Sequence, residues 1–311
     1  MKYLIFVSLS VLQFTLEAQK SATVTTAPAL FMPEKIATGN YERDITFSPG
    51  MDEIYYTIQD QKSGYAQIVF IKKTLKGWTL PQTASFSGKY SDMEASFSPD
   101  GNKIYFASNR PLTVEGEVKD YDIWVTERKN GVWQTPTNLG TNVNSPQDEF
   151  YPSVGKSGNI YFTATRKNGI GKEDIHMCKF ENGMYIESVP LDTMVNSTKY
   201  EFNAFVNADE TLIVFTSYGR KDDMGGGDLY YCLKSPKGNW SKAIHMNDKI
   251  NSTKLDYCPY VSNDKRTLYF TSERATASQL YSKTKSLEEF KSFLTKPGNG
   301  NGDIYSVPFT W

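Results

Sequence analysis

Short apolar runs alternate with turn residues along almost the whole chain. One phrase recurs: an apolar run, a turn built on Pro, Asp, Asn or Gly, and a second apolar run. Its five copies are ITFSPGMDEIYYT, ASFSPDGNKIYFAS, PSVGKSGNIYFTA, AFVNADETLIVFTS and PYVSNDKRTLYFTS, which begin at Ile45, Ala95, Pro152, Ala204 and Pro259. Each copy predicts a hairpin of two strands, and the mostly apolar runs are typical of strands that are buried on both faces.

Two further strands follow each hairpin. The third begins at Gln67, Asp122, Asp174, Asp228 or Asp303, and the fourth carries Trp78, Trp133, Tyr185 or Trp240. Four strands in repeats spaced about 50 to 57 residues apart predict the blades of a β-propeller. The phrase NSPQDEF at Asn144 has echoes at Asn196 and Asn251, and it marks the connection between blades.

The fifth repeat lacks a fourth strand of its own, since the chain stops soon after DIYSVPF. ALFMPEKIAT, Ala29 to Thr38, resembles the missing strand and precedes the first blade. We therefore predict an all-β, five-bladed propeller that this segment closes by joining the last blade, with six blades as the alternative. Closure removes the sheet edges that would otherwise invite aggregation.

The first residues predict export from the cytoplasm. Lys2 precedes an apolar run from Tyr3 to Leu16, and the small residue Ala18 suits cleavage. The run is too short to span a bilayer comfortably. We predict a signal peptide at 1–18, no membrane span, and a periplasmic or secreted propeller domain at 19–311 with a helical insertion at about 276–300.

Composition narrows the classes of partner and chemistry. Lys and Arg number 34 against 35 Asp and Glu, a net charge of −1 that argues against nucleic acid as a partner. The three cysteines are predicted to be buried free thiols. With two histidines, no HExxH and no GxSxG, the sequence assigns no catalytic residue.

The repeat resembles a known family. FSPDGNKIYFASNR followed by DIWVTERKNGVWQTPTNLG is similar to the WD40-like β-propeller repeat of TolB-type exported bacterial proteins. The resemblance implies an envelope or secreted propeller that usually serves as a protein-binding platform. Blade one departs from the pattern, because Met51 follows SPG and Gln67 replaces the aspartate of the third strand.

Two charged positions recur and predict a ring at one end of the central channel. An acidic residue stands three positions before the start of each copy of the repeated phrase, and an arginine follows the second strand in four blades. These residues are Glu42, Asp92, Glu149, Glu201 and Asp256, with Arg110, Arg166, Arg220 and Arg274. The ring either binds a cation or basic ligand or forms structural Arg–carboxylate bonds, and a feature repeated in every blade favours the structural role.

The aspartates that begin the third strands, Asp122, Asp174, Asp228 and Asp303, are predicted to accept local backbone N–H groups. The loop YGRKDDMGGGD could hold Ca²⁺ through Asp222, Asp223 and Asp228, although its spacing matches no EF-hand loop and a flexible acidic turn is favoured. No other cofactor is expected. In the insertion, Ser286 can cap a helix with Leu287, Phe290, Phe293 and Leu294 on one face, which would pack on the propeller or bind a partner.

Two hypotheses for function follow. The favoured one is a non-enzymatic exported platform that binds a protein partner in the cell envelope. The alternative is a carbohydrate-active enzyme or lectin that uses carboxylates in the central funnel, with a glycan as ligand.

Overall fold

The computed structural model describes residues 26–113, 115–275 and 286–311. Its strands form five small antiparallel sheets in a ring, because the first strand of each sheet contacts the first strands of both neighbouring sheets. The predicted five-bladed propeller is therefore confirmed. The predicted signal peptide at 1–18 and residues 276–285 of the predicted insertion lie outside the described residues.

Blades 1, 2 and 4 are built from strands that are consecutive in the chain, whereas blade 3 skips a two-stranded ribbon and blade 5 includes the first strand of the structure. The closing strand is β1 (Ala29–Leu30). Blade 1 contains β2 (Glu42–Phe47), β3 (Glu53–Gln59), β4 (Ala66–Thr74), β5 (Gly77–Trp78) and β6 (Gln82–Thr83). Blade 2 contains β7 (Asp92–Phe97), β8 (Lys103–Ser108), β9 (Asp122–Lys129), β10 (Val132–Trp133) and β11 (Thr137–Asn138).

The later blades follow the same order. Blade 3 contains β12 (Glu149–Val154), β13 (Ile160–Ala164), β14 (Asp174–Cys178) and β17 (Val189–Pro190), beside the two-stranded ribbon of β15 (Phe180–Glu181) and β16 (Met184–Tyr185). Blade 4 contains β18 (Tyr200–Val206), β19 (Leu212–Tyr218), β20 (Asp228–Leu233) and β21 (Ile244–His245). Blade 5 contains β22 (Asp256–Val261), β23 (Thr267–Ser272), β24 (Asp303–Pro308) and β1.

The N-terminal segment closes the ring, but through fewer residues than the sequence suggests. Ala29 pairs with Ser306 and Leu30 with Tyr305, antiparallel to β24. The Phe31 N–H then donates to the Ile304 carbonyl at 2.8 Å. The rest of the predicted strand, up to Thr38, turns away from the sheet and buries Ile36 in the apolar cluster that joins blades 5 and 1.

The apolar core lies between neighbouring blades, as propeller packing requires. Tyr55 and Ile68 of blade 1 pack against Ile104 and Phe106 of blade 2, and the other blade pairs form equivalent clusters. The three cysteines, Cys178, Cys232 and Cys258, are free and buried, as predicted.

In the described part of the chain, two short helices interrupt the strands: α1 (Asn247–Ile250) and α2 (Leu287–Leu294). Ser286 caps α2 in a capping box with Glu289, as predicted, yet none of the residues of α2 is buried. The C-terminal end of α2 lies against the start of blade 1, where Gly39 has φ +94° and a Cβ would lie 2.7 Å from the Thr295 backbone. Within the described residues no helix is long and apolar enough to cross a membrane.

Candidate functional site

The five repeated acids are buried inside the blades instead of lining the channel. Their carboxylates are fully buried, and four of them pair with the arginine of the same blade. The pairs are Arg110–Asp92 at 2.7 Å, Arg166–Glu149 at 3.0 Å, Arg220–Glu201 at 2.9 Å and Arg274–Asp256 at 2.6 Å. In blade 1 the Thr38 N–H and hydroxyl donate to Glu42, and burial raises the pKa of Glu42 to about 6.

Each of these arginines also donates a hydrogen bond to the segment that connects the preceding blade to its own. The guanidinium donates to the carbonyl of Phe86, Val143, Val195 or Ile250, which precede blades 2 to 5 in order. Three of the acids bind to the same connecting segments. The backbone N–H groups of Ser145, Ser197 and Ser252 donate to Glu149, Glu201 and Asp256. Each pair therefore joins the first and second strands to the preceding connection.

The aspartates of the third strands hold local turns. Asp174 accepts the Ile170 N–H at 2.7 Å, and Asp303 accepts the Gly298 N–H at 2.7 Å. Asp122 accepts from the Asn138 side chain instead and pairs with Lys119.

The candidate calcium ligands have separate partners. Asp222 accepts the Tyr230 hydroxyl, Asp223 accepts the Gly219 N–H, and Asp228 bonds to the Met224 N–H and the His245 ring. Among the described residues, no group of three or more His, Cys, Asp or Glu side chains could hold a metal ion.

The channel itself is occupied by residues two positions after the repeated acids. Each first strand carries a bulge, and the bulged residue has a positive φ that side chains rarely adopt. These residues are Asp44, Glu94, Tyr151, Asn203 and Cys258. With Arg43 they form the axial cluster, a buried polar group on the ring axis.

Glu94 is the centre of the axial cluster. Its carboxylate accepts from the Arg43 guanidinium, from the Tyr151 N–H at 2.7 Å and from the Asn203 amide at 3.2 Å. Asp44 lies 3.2 Å from the Nε of Arg43. Burial raises the pKa of both acids, and the Arg43 charge opposes that rise. One cation thus serves two buried carboxyl groups.

Aromatic side chains cover the axial cluster on the face where the first strands begin, here called the connection face. Phe150, Phe202 and Tyr257 each follow a repeated acid directly, and they pack in one apolar cluster with Tyr151 and Cys258. The Tyr257 hydroxyl donates to Tyr41 at 2.8 Å, and the Tyr41 hydroxyl donates to Glu273 at 2.6 Å.

Beside this aromatic layer the connection face opens into the acidic cleft, with a volume of about 340 Å³. The cleft is lined by Asp120, Pro146, Gln147, Asp148, Phe150, Thr165 and Glu173. Asp120 belongs to the loop between β8 and β9, Asp148 to the connection into blade 3, and Glu173 to the loop between β13 and β14. Three elements therefore bring three carboxyl groups to one open space.

Glu173 and Asp148 have different surroundings within the cleft. Burial raises the pKa of Glu173 to about 7, and the charges of Glu94, Asp148 and Asp174 add to the rise. None of the described cations pairs with Glu173. Asp148 is exposed and accepts the Tyr121 N–H at 2.8 Å. Glu173 can therefore hold a proton near neutral pH, beside the exposed side chain of Asp148.

The sequence analysis missed both the axial cluster and the cleft acids. A usable feature was present: the position two residues after each repeated acid is different in every blade. Glu173 and Asp148 lie directly beside the repeated residues Asp174 and Glu149, and neither of them belongs to the repeat itself.

No family model and no curated protein matches the chain. Among solved structures, the chain is similar to an alpha-L-arabinofuranosidase from Lactobacillus brevis, with a TM-score of 0.52, 16% identity, and coverage of 90% of this chain and 93% of that one. It is also similar to a thermostable family-43 glycoside hydrolase, with a TM-score of 0.53, 11% identity, and coverage of 90% and 93%. At these identities the likeness shows the shared propeller fold.

These comparisons correct the interpretation of function. The favoured hypothesis of a non-enzymatic protein-binding platform is wrong on this finding, because both neighbours are glycoside hydrolases. No match supports the TolB-type resemblance beyond the propeller fold itself.

Proposed function

We propose that the protein is a carbohydrate-active enzyme that hydrolyses glycosidic bonds in the acidic cleft. The observation that carries this proposal is the placement of Glu173 and Asp148 on the walls of one open cleft beside Phe150. Glycosidases use two carboxyl groups with different protonation states, one as a general acid and one as a base or nucleophile. The arabinofuranosidase and the family-43 glycoside hydrolase, which share the fold, support the choice of substrate class.

The roles follow from the surroundings of each group. Glu173, with a pKa of about 7, would protonate the leaving oxygen of the scissile bond. Asp148, exposed and held by the Tyr121 N–H, would activate water or attack the sugar. The half-buried Phe150 ring offers an apolar face to a sugar ring. The repeated acids Glu149, Glu201 and Asp256 have no part in the reaction, because they are buried in their arginine pairs.

Release of reducing sugar from a polysaccharide panel tests the proposal, starting with arabinose- and xylose-containing polymers. We expect Glu173→Gln to lower kcat by about 10²- to 10⁴-fold. Glu181→Gln is the matched control, since Glu181 is an exposed acid on the outer ribbon of the same blade. It should leave the rate unchanged.

The same panel separates an enzyme from a lectin. Binding without turnover by the wild-type protein would contradict hydrolysis and leave a lectin. Turnover that survives both Glu173→Gln and Asp148→Asn would place the reaction outside the cleft. A panel on which the protein shows no binding and no turnover would exclude a carbohydrate function for this cleft.

A further inference from the structure

The opposite face of the propeller, where the turns between first and second strands lie, contains a second concave site. We call this the hairpin face. An axial funnel of about 230 Å³ opens there and narrows to a space of about 20 Å³ that ends at Glu94 and Tyr151. The axial cluster separates this funnel from the acidic cleft. A ligand in one site therefore does not occupy the other.

The funnel combines hydroxyl groups with aromatic rings. Thr46 and Ser96 line both the funnel and its narrow end, and their hydroxyl groups have no partner among the described residues. Phe205 and Tyr260 form an aromatic wall, with ring centroids 5.1 Å apart. Apolar walls with a few free polar groups are the usual composition of a small-molecule site.

Two lysines stand at the rim of the funnel. Lys156 and Lys265 both pair with Asp209, at 2.9 and 3.4 Å, and all three side chains are about half exposed or more. Exposed ion pairs of this kind contribute little to stability, so an incoming anion can replace Asp209 at little cost. Among the residues that line the funnel, two are lysines and one is a carboxylate.

A groove between blades 2 and 3 extends the funnel outward. The groove has a volume of about 470 Å³ and shares Ser98, Pro99, Val154 and Lys156 with the funnel. Lys103 lies in it and pairs with no carboxylate of the described chain. At its outer end the rings of Phe180 and Tyr185 meet edge to face at 5.1 Å. Gly158 makes room for this pair, because a Cβ there would lie 2.8 Å from the Phe180 ring.

We propose that the funnel and groove together bind an acidic oligosaccharide, a chain of sugars that carry carboxylates. Free hydroxyl groups and aromatic rings suit sugar rings, Lys265 and Lys156 stand at the rim of the funnel, and Lys103 lies in the groove that leads away from it. Asp100 also lines the groove and keeps its negative charge, since hydrogen bonds from Ser98 and Asn102 lower its pKa, so the sugar carboxylates must lie on the side of Lys103 and Lys156. The site shares no lining residue with the acidic cleft, so it stands independently of the proposed hydrolysis.

Calorimetric titration with galacturonate oligomers of one to four units tests the site, with neutral galactose oligomers as the comparison. We expect the acidic trimer to bind at least about tenfold more tightly than the acidic monomer or the neutral trimer. The affinity should fall as salt rises, because exposed charges are screened. Oligoglutamate of equal length tests whether an acidic peptide binds instead, and we expect it to bind at least about tenfold more weakly than the acidic trimer.

Variants locate the binding. The double change Lys156→Gln with Lys265→Gln should weaken the acidic trimer at least about tenfold and leave the neutral trimer unchanged. Lys129→Gln is the matched control, since Lys129 is an equally exposed lysine that pairs with Glu127 on blade 2. Thr46→Val removes a funnel hydroxyl with little change of shape and should weaken both trimers.

Three results would overturn the proposal. The first is no binding of the acidic trimer up to about 10 mM, which is weaker than ordinary ligand recognition. The second is binding that the double lysine variant leaves intact while its thermal unfolding matches the wild type. The third is oligoglutamate binding as tight as the uronate. Glu173→Gln should not affect any of these titrations, so failure here and failure of hydrolysis are distinguishable.

Discussion

Arg43 of the first blade donates to the carboxylate of Glu94 of the second blade on the axis of the ring, with Asp44 on its other side. The side chains of Asp44 and Glu94 are 2% exposed, and that of Arg43 is 12% exposed. A buried ion pair is costly to form, but it is more costly to break, because the remaining charge loses its partner. The axial cluster therefore fixes how the first two blades meet and keeps the channel closed between its two faces.

Replacing Arg43 with Met should lower the free energy of unfolding by about 3–5 kcal/mol, since two buried carboxyl groups lose their cation. Urea unfolding followed by tryptophan fluorescence measures the change. Adding Glu94→Gln to Arg43→Met should recover part of the loss. Arg128→Met is the control, because Arg128 pairs with Glu53 in a more exposed position. An equal cost for the two single changes would contradict the role of the axial cluster.

The repeat made the fold predictable, while the site depended on details that a repeat conceals. Five copies of one phrase indicated the blades, and the missing fourth strand indicated the closure through Ala29. The environment of the Glu149 side chain and its equivalents was not predictable from the sequence. A shift of one residue in strand register turns every side chain of the strand to the opposite face of the sheet. The bulge at Tyr151 depends on tertiary packing, and no local sequence motif predicts the positive φ of this residue.

Changing Arg110 to Lys should destabilise the protein although the charge is kept. Arg110 donates to Ser108, to the Phe86 carbonyl and to Asp92 within 2.9 Å, a geometry that a single ammonium group cannot reproduce. Buried acceptors that lose their donors should cost about 1–3 kcal/mol, measured by urea unfolding. Arg266→Lys changes an exposed arginine and should remain within about 0.5 kcal/mol of the wild type. A loss of similar size at both positions would contradict the argument.

A chain that begins at Met32 should lose the closing strand and expose the edge of β24. The free edge of a sheet pairs readily with other chains, so we expect a lower melting temperature and concentration-dependent association. Size-exclusion chromatography and thermal unfolding measure both effects. A chain that begins at Thr26 keeps β1 and should behave as the full-length protein does. A monomeric, equally stable product from the shorter chain would show that closure does not depend on this strand.

The rate of glycoside hydrolysis should fall as the pH rises through about 7, because Glu173 must be protonated to act as the acid. The kcat profile against pH measures the apparent pKa of this limb. Asp148→Asn removes a neighbouring negative charge, so it should lower the pKa of Glu173, which NMR titration of the side-chain carboxyl can follow in this variant. A falling limb that keeps its position in Glu173→Gln would assign the titration to another group.

The same pKa has a consequence for stability that does not require substrate. Because the folded pKa of Glu173 lies above its ordinary value, the folded state binds the proton more tightly than the unfolded chain does. The stabilising contribution is then complete below the unfolded pKa and is lost as the pH rises through about 7. Glu173→Gln should therefore reduce the fall in unfolding free energy between pH 5 and pH 7, measured by urea unfolding at each pH. Glu181→Gln should leave that fall unchanged, and an unaltered slope in Glu173→Gln would show that Glu173 is ionised throughout this range.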